Sequence, residues 1–126
     1  MWVFTNHGFL SIVEHSKRKD TLVVRARRKE HLETYFNEFK INYTPNRDYQ
    51  YRIFITKKYF ADHMHSIVQD IDYPNFKSSI KDKKLGAVAS MVWHNVFVGL
   101  DEGNRTMVST SSKDTGPSDK DRKSRN

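Results

Sequence analysis

Cysteine is absent from the 126-residue chain, so the protein can form neither a disulfide nor a thiolate zinc site. No apolar run approaches the roughly 18 residues that a membrane helix needs. The opening residues MWVFTNHGFL contain no basic residue ahead of their apolar stretch, which argues against a secretory signal. We therefore predict a cytoplasmic protein with no membrane partner.

Glycine is also scarce, with five in the whole chain, and no P-loop or dinucleotide-binding glycine pattern occurs. His63 and His65 resemble a metal pair, but side chains two apart on a helix point in different directions. Ser11 and His15 could be taken for a nucleophile and its base, yet four residues of strand separate them by roughly 13 Å. We therefore predict no enzyme, no metal site and no cofactor.

The last quarter of the chain is strongly polar. From Asp101 onward it reads DEGNRTMVSTSSKDTGPSDKDRKSRN, with Met107 and Val108 as its only large apolar residues. Such a segment buries too little apolar surface to offset the entropy that ordering would remove. We predict a single folded domain over residues 1–100 and a disordered polar tail over residues 101–126.

Positive charge is in excess, with 22 Lys and Arg against 15 Asp and Glu, a net charge of +7. Residues 1–100 hold 16 of the basic residues and 10 of the acidic ones, so the excess belongs to the predicted domain. The segment KRKDTLVVRARRK, residues 17–29, contains seven basic residues and one acidic residue. Such a surface attracts nucleic acid or an acidic protein, although it can also serve only to keep a protein soluble.

Four segments have the β-branched and aromatic composition of strands, at residues 2–5, 9–15, 21–27 and 49–56. Because strand side chains alternate between faces, the second segment puts Phe9, Ser11, Val13 and His15 on one face. In the third, Arg25 and Arg27 lie opposite Val24, and in the fourth Arg52 lies opposite Ile53. Each strand therefore has one mainly apolar face and one mixed face.

Helical spacing follows the third strand, where Leu32, Tyr35, Phe36 and Phe39 share one side. A second apolar stripe of this kind comprises Phe60, Met64, Ile67, Val68 and Ile71. A third comprises Leu85, Val88, Ala89, Val92 and Val96, although the β-rich end VFVGL leaves that helix boundary open. The order β-β-β-α-β-α-α predicts an α+β two-layer sandwich, a mainly antiparallel sheet with helices on one face, loosely ferredoxin-like.

The stretch DYPNFKSS, residues 72–79, has the features of a corner between two helices. Pro74 disfavours a helical conformation at Tyr73, so the preceding helix should end near Ile71 or Asp72. Asn75 or Ser79 can cap the next helix. Phe76 and Tyr73 are expected to pack across the corner, which leaves Lys77 without a structural explanation.

Several motifs occur in order along the chain: MWVFTNHGFLSIVEH, LVVRAR, DYPNFKSSI and a VW pair at Val92-Trp93. In these the chain resembles a widespread family of small bacterial proteins with no established activity. That family shares a Met-Trp start, a GFxS(I/V)V strand ending near a His, a VRAR strand, a YR strand and a DYxNFK corner. The resemblance covers about residues 1–95, and its last part is weaker because family members commonly carry His or Tyr ahead of the Trp.

The resemblance implies a set of recurrent polar positions but neither a reaction nor a ligand. These positions are Ser11, His15, Arg25, Arg27, Arg52, Asn75 and Lys77. We predict that Arg25, Arg27 and Lys77 form a cationic patch suited to a phosphate or a carboxylate. The alternative is that the arginines pair with Glu14, Asp70 or Asp72 and support the corner.

Three functions remain open at this point. The leading one is a small, non-enzymatic binding module that docks on nucleic acid or on a nucleic-acid-associated complex. A second is a phage or mobile-element regulator that inhibits a host protein complex by steric occlusion. A third is a sensor or enzyme for a phosphate ligand, with a pocket beside the DYPNFK corner. The sequence does not predict an oligomeric state.

Overall fold

The structure, a computed structural model, describes residues 1–102. The elements in chain order are β1 (Trp2–Thr5), β2 (Gly8–Glu14), β3 (Thr21–Ala26), α1 (Lys29–Phe36), β4 (Asn42–Tyr43), β5 (Tyr51–Thr56), α2 (Lys57–Gln69), α3 (Phe76–Ser79) and α4 (Lys83–Gly99). The predicted disordered tail lies, from residue 103 on, outside the described residues.

The chain divides into two compact units, one over Met1–Asp82 and one beginning at Lys83. The single domain expected over residues 1–100 stays a prediction. Within residues 1–102, every helix is too short or too polar to cross a bilayer.

The strands of the first unit form one sheet in the order β1-β2-β3-β5-β4, and each neighbouring pair is antiparallel. The predicted α+β two-layer sandwich is confirmed, because α1 and α2 pack on one face of this sheet. The closer comparison with ferredoxin-like folds is not confirmed. The strand β4, only two residues long, lies outside the four segments that the sequence predicted as strands.

The core lies between this sheet face and the two helices. The strands contribute the side chains that alternation assigns to one face, and the helices contribute Leu32, Phe36 and Phe60. The buried core residues are Leu10, Ile12, Val24, Ala26, Leu32, Phe36, Ile53, Ile55 and Phe60. The opposite sheet face carries Ser11, Arg25 and Arg52, and it is called the arginine face below.

A close contact fixes β2 against α1. A Cβ atom at Gly8 would lie 2.5 Å from Cγ of His31, so only glycine fits there. The buried His31 ring accepts a hydrogen bond at Nδ1 from the backbone N–H of Phe9, at 3.1 Å. Burial lowers the pKa of His31, and the nearby Arg28 lowers it further.

The helix α2 ends earlier than expected, at Gln69 rather than near Ile71, and only the first part of its apolar stripe is in the core. Phe60 is buried, whereas Val68 and Ile71 are about half exposed, at 56% and 52%. In the loop between β4 and β5, Asn46 has φ 74°, the left-handed conformation of a turn residue.

The second unit contains α4, which continues into the β-rich VFVGL stretch and ends at Gly99, one residue before the end of that stretch. No charged residue occurs between Leu85 and Leu100. Leu85 and Ala89 are buried, while six of the apolar side chains remain well exposed: Val88, Met91, Val92, Trp93, Val96 and Leu100.

Candidate functional site

Three of the predicted site residues lie in one row across the arginine face. In the register of the sheet, Ser11 of β2 is directly opposite Arg25 of β3, and Arg25 is directly opposite Arg52 of β5. The row extends to Trp2 on β1 and to Asn42 on β4, so it crosses all five strands. Strand alternation, which the sequence shows, and strand pairing, which it does not, together produce this row.

The guanidinium of Arg25 is held on two sides. Its Nη2 donates a hydrogen bond of 2.7 Å to Oγ of Ser11, which is only 2% exposed. Its Cζ lies 4.9 Å from the centroid of the Tyr49 ring, within the range of a cation–π interaction. The buried serine and the ring therefore fix the orientation of this cation on the sheet.

Arg52 is a second cation beside the first. Its Nη2 donates to the backbone carbonyl of Tyr49 at 3.2 Å. Burial lowers the pKa of Arg52, and the charges of Arg47 and Arg25 add to that effect, while Asp48 opposes it. The Nε atoms of Arg25 and Arg52 are buried, and no acceptor among the described residues bonds to either.

Arg27 ties the end of β3 to the turn before β5. Its Nη1 donates to the backbone carbonyls of Asp48, at 2.8 Å, and Arg47, at 3.3 Å. The side chain is nevertheless exposed. Arg25, Arg27 and Arg52 all therefore converge on the turn at residues 47–49.

The structure does not show the carboxylate partners that the alternative interpretation required. Glu14 instead forms an ion pair with Lys57, with 3.7 Å between Nζ and Oε2. Within residues 1–102, neither Arg25, Arg27 nor Arg52 forms an ion pair. The arginines are thus held by a hydroxyl, a ring and backbone carbonyls, which leave their positive charge uncompensated by any described side chain within 4.0 Å.

His15 organises the basic loop between β2 and β3. Its Nδ1 accepts hydrogen bonds from the backbone N–H groups of Lys17 and Arg18, each at 3.0 Å. Its ring lies 5.0 Å from that of Phe54, and the guanidinium carbon of Arg18 lies 5.1 Å from the same ring. Phe54 follows Arg52 by two residues on β5, so this loop borders the arginine face.

Asn75 and Lys77 lie at the corner between α2 and α3. Oδ1 of Asn75 accepts a hydrogen bond of 2.9 Å from the backbone N–H of Ser78, which caps α3 as the sequence predicts. Phe76 packs edge-to-face on Phe4 of the edge strand β1, with 5.7 Å between the ring centroids. The corner therefore contacts the sheet at β1, two strands away from Arg25.

The arginine face also carries an aromatic cluster that the sequence did not predict. Trp2, Phe4 and Phe9 lie on this face, where Phe9 makes edge contacts with both other rings, at 5.4 Å and 5.3 Å. Trp2 is the most exposed of the three, at 71%. The alternation that places Ser11 also places these rings, but only the pairing of β1 with β2 shows that they adjoin.

A cavity of about 560 Å³ lies beside the corner, between β1, α1 and α2. Tyr35 donates a hydrogen bond of 2.9 Å to Oγ1 of Thr5 within its lining, and burial raises the pKa of Tyr35. Asp70 and Asp72 also contribute to the lining, which contains no Lys or Arg. A pocket beside the corner was expected for a phosphate ligand, but carboxylates would repel such a ligand here.

Among the described residues, no group of three or more His, Asp or Glu side chains is arranged to hold a metal ion. His63 lies with Nε2 3.0 Å from a carboxylate oxygen of Glu38 and with Nδ1 2.9 Å from the carbonyl oxygen of Tyr59. His65, two residues along α2, is exposed.

Comparison of the chain with family models, with curated proteins and with solved structures finds no match.

Proposed function

We propose that the protein is a non-enzymatic binding module that docks its arginine face on nucleic acid. The observation that carries the proposal is the pair of guanidinium groups from Arg25 and Arg52, side by side on adjacent strands. No described carboxylate pairs with either group. Arginine presents several donors in a planar fork, which suits the oxygens of a phosphodiester.

The charge around this pair supports the same proposal. Lys17, Arg18 and Lys19 are exposed on the loop held by His15, and the chain as a whole carries a net charge of +7. Phosphate contacts made by such residues provide affinity that does not depend on sequence. We therefore expect binding to both DNA and RNA, driven largely by counterion release.

The chemistry of the two polar side chains supports binding over catalysis. Oγ of Ser11 accepts the hydrogen bond from Arg25, and Nδ1 of His15 accepts two backbone hydrogen bonds. Each atom therefore has a structural task that conflicts with acting as a nucleophile or a general base. The proposal accordingly assigns the row to recognition.

A second candidate function, inhibition of a protein complex by occlusion, is favoured by α4. Its exposed apolar side chains and its lack of charge between Leu85 and Leu100 are properties of protein contact surfaces. Capture of a stoichiometric protein partner from extract, free of nucleic acid, would favour this function over the first.

Fluorescence anisotropy with labelled DNA and RNA oligonucleotides tests the leading proposal. We expect binding that weakens steeply between about 50 and 200 mM salt. Arg25→Gln and Arg52→Gln should each weaken binding to all sequences and lower the salt slope by about one. No binding to any oligonucleotide at about 50 mM salt would exclude the proposal.

Lys58 provides a matched control for the loss of one positive charge. It is on α2, which packs on the sheet face opposite the arginine face. Its side chain is 86% exposed and forms a surface ion pair with Asp62. Lys58→Gln removes the same charge as the arginine variants, so a general effect of net charge would appear equally in all three. The proposal requires that Lys58→Gln leave binding close to that of the unmodified protein.

A further inference from the structure

We infer that the nucleic acid bound at the arginine face is single-stranded and that one of its bases stacks on Trp2. This inference rests on the proposed function and adds the class of polynucleotide that the face selects. A base in a duplex is already stacked on its neighbours and cannot reach a side-chain ring, whereas an unpaired base can.

Trp2 has the position and exposure that stacking needs. It is on the edge strand β1, at the end of the row that holds Ser11 and Arg25. Its side chain is 71% exposed, an unusual state for the largest apolar ring in proteins. Contact with Phe9 at 5.4 Å supports the ring from one side and leaves most of its surface accessible.

The other rings on this face are already in contact with protein groups. Phe54 has His15 at 5.0 Å and the Arg18 guanidinium at 5.1 Å. Phe4 lies between Phe9 and Phe76, at 5.3 Å and 5.7 Å. Trp2 is therefore the ring on this face that a base can reach with the least rearrangement.

The distance between Trp2 and Arg25 suits simultaneous contact with a base and a phosphate of one short nucleic-acid segment. Neighbouring strands are about 4.8 Å apart, so Trp2 and Arg25 on the first and third strands are separated by about 10 Å. Arg52 is one strand further. A strand lying across the sheet can therefore stack a base on Trp2 while its backbone passes the two guanidinium groups.

Intrinsic fluorescence provides a direct readout of this contact. The chain has two tryptophans, so Trp93→Phe, a change in α4, leaves Trp2 as the sole indole fluorophore. Unlabelled single-stranded oligothymidylate and oligouridylate should quench its emission. An oligonucleotide of the same length with abasic sites throughout retains the phosphates, and we expect it to bind more weakly and to quench little.

Affinity measurements on variants complete the test. Trp2→Ala should weaken single-strand binding roughly tenfold or more, and Trp2→Phe should retain most of the affinity. Tyr43→Ala serves as the control, because Tyr43 is an exposed ring (57%) at the other edge of the sheet, on β4. It should leave binding unchanged.

Different results would contradict the proposed nucleic-acid binding and the inferred stacking on Trp2. If no polynucleotide binds, the proposed function and this inference are both excluded. If a duplex binds as tightly as the single strand and Trp2→Ala has no effect, the arginine face still binds nucleic acid but the stacking inference is wrong.

Discussion

His31 shows how one buried side chain can make stability depend on pH. Its Nδ1 accepts a hydrogen bond from the backbone of Phe9, so that nitrogen carries no proton in the folded protein. Burial lowers the pKa of His31 below its ordinary value of 6.5. Protonation therefore opposes both the hydrogen bond and the packing against Gly8.

We predict that the free energy of unfolding falls as the pH drops below about 6.5. In that range the unfolded chain binds a proton at His31 that the folded chain resists, so lower pH favours unfolding. The stabilisation is fully present above the unfolded-state pKa and is lost progressively toward the lower folded-state pKa. Urea denaturation at a series of pH values measures it.

The variant His31→Asn isolates this contribution from the other five histidines. An asparagine oxygen can accept the Phe9 hydrogen bond but does not titrate. The variant should show a smaller loss of stability on acidification than the unmodified protein. Equal slopes for the two proteins would show that His31 is not responsible.

At the scale of elements, the DYPNFK corner depends on the Asn75 cap. We predict that Asn75→Ala destabilises the protein by about 1 kcal/mol, because the Ser78 N–H loses its acceptor. Asn75→Asp keeps an oxygen acceptor at the same place and should be close to neutral. Chemical denaturation measures both, and an Asn75→Ala protein of unchanged stability would contradict a capping role.

The elements that could be predicted from the sequence are those in which apolar residues repeat regularly along a short segment of the chain. Alternation in β2, β3 and β5 indicated which side chains share a strand face, and in the fold Ser11, Arg25 and Arg52 lie on the face opposite the core. The two-residue strand β4 was missed because its only signal is its pairing with β5, which is not local. The end of α4 was left open because valine and phenylalanine favour strands until packing decides otherwise.

The sequence could single out the polar residues Ser11, Arg25 and Arg52, but it could not predict that they are neighbours across the sheet. The sequence joined Lys77 to the arginines because the resemblance placed them all among recurrent positions. In the fold the corner contacts β1, whereas Arg25 is on the third strand of the sheet and Arg52 on the fourth. The exposure of Trp2 was not predicted, because it follows from the place of Trp2 on an edge strand and no residue pattern indicates strand order.

For the molecule as a whole, the arginine face is expected to lower the stability of the fold. Arg25 and Arg52 are directly opposite each other on adjacent strands, where like charges are unfavourable. We predict that Arg52→Met raises the melting temperature of the ligand-free protein by roughly 2–6 °C, since it relieves up to about 1 kcal/mol of repulsion. A calorimetric scan in low salt tests this, and a lower melting temperature would contradict it.

This repulsion has a consequence for any selection that rewards thermal stability alone. Substitutions at Arg52 would be enriched early in such a selection, because they remove the unfavourable contact without disturbing the core or the hydrogen bond between Arg25 and Ser11. Positions where stabilising changes accumulate would then mark the proposed binding surface without any ligand being used. We expect a library sorted for heat resistance to favour substitutions along this row of the sheet. A second sort for retention on single-stranded oligonucleotide should remove the same substitutions. At the buried core positions, both sorts should favour the same residues.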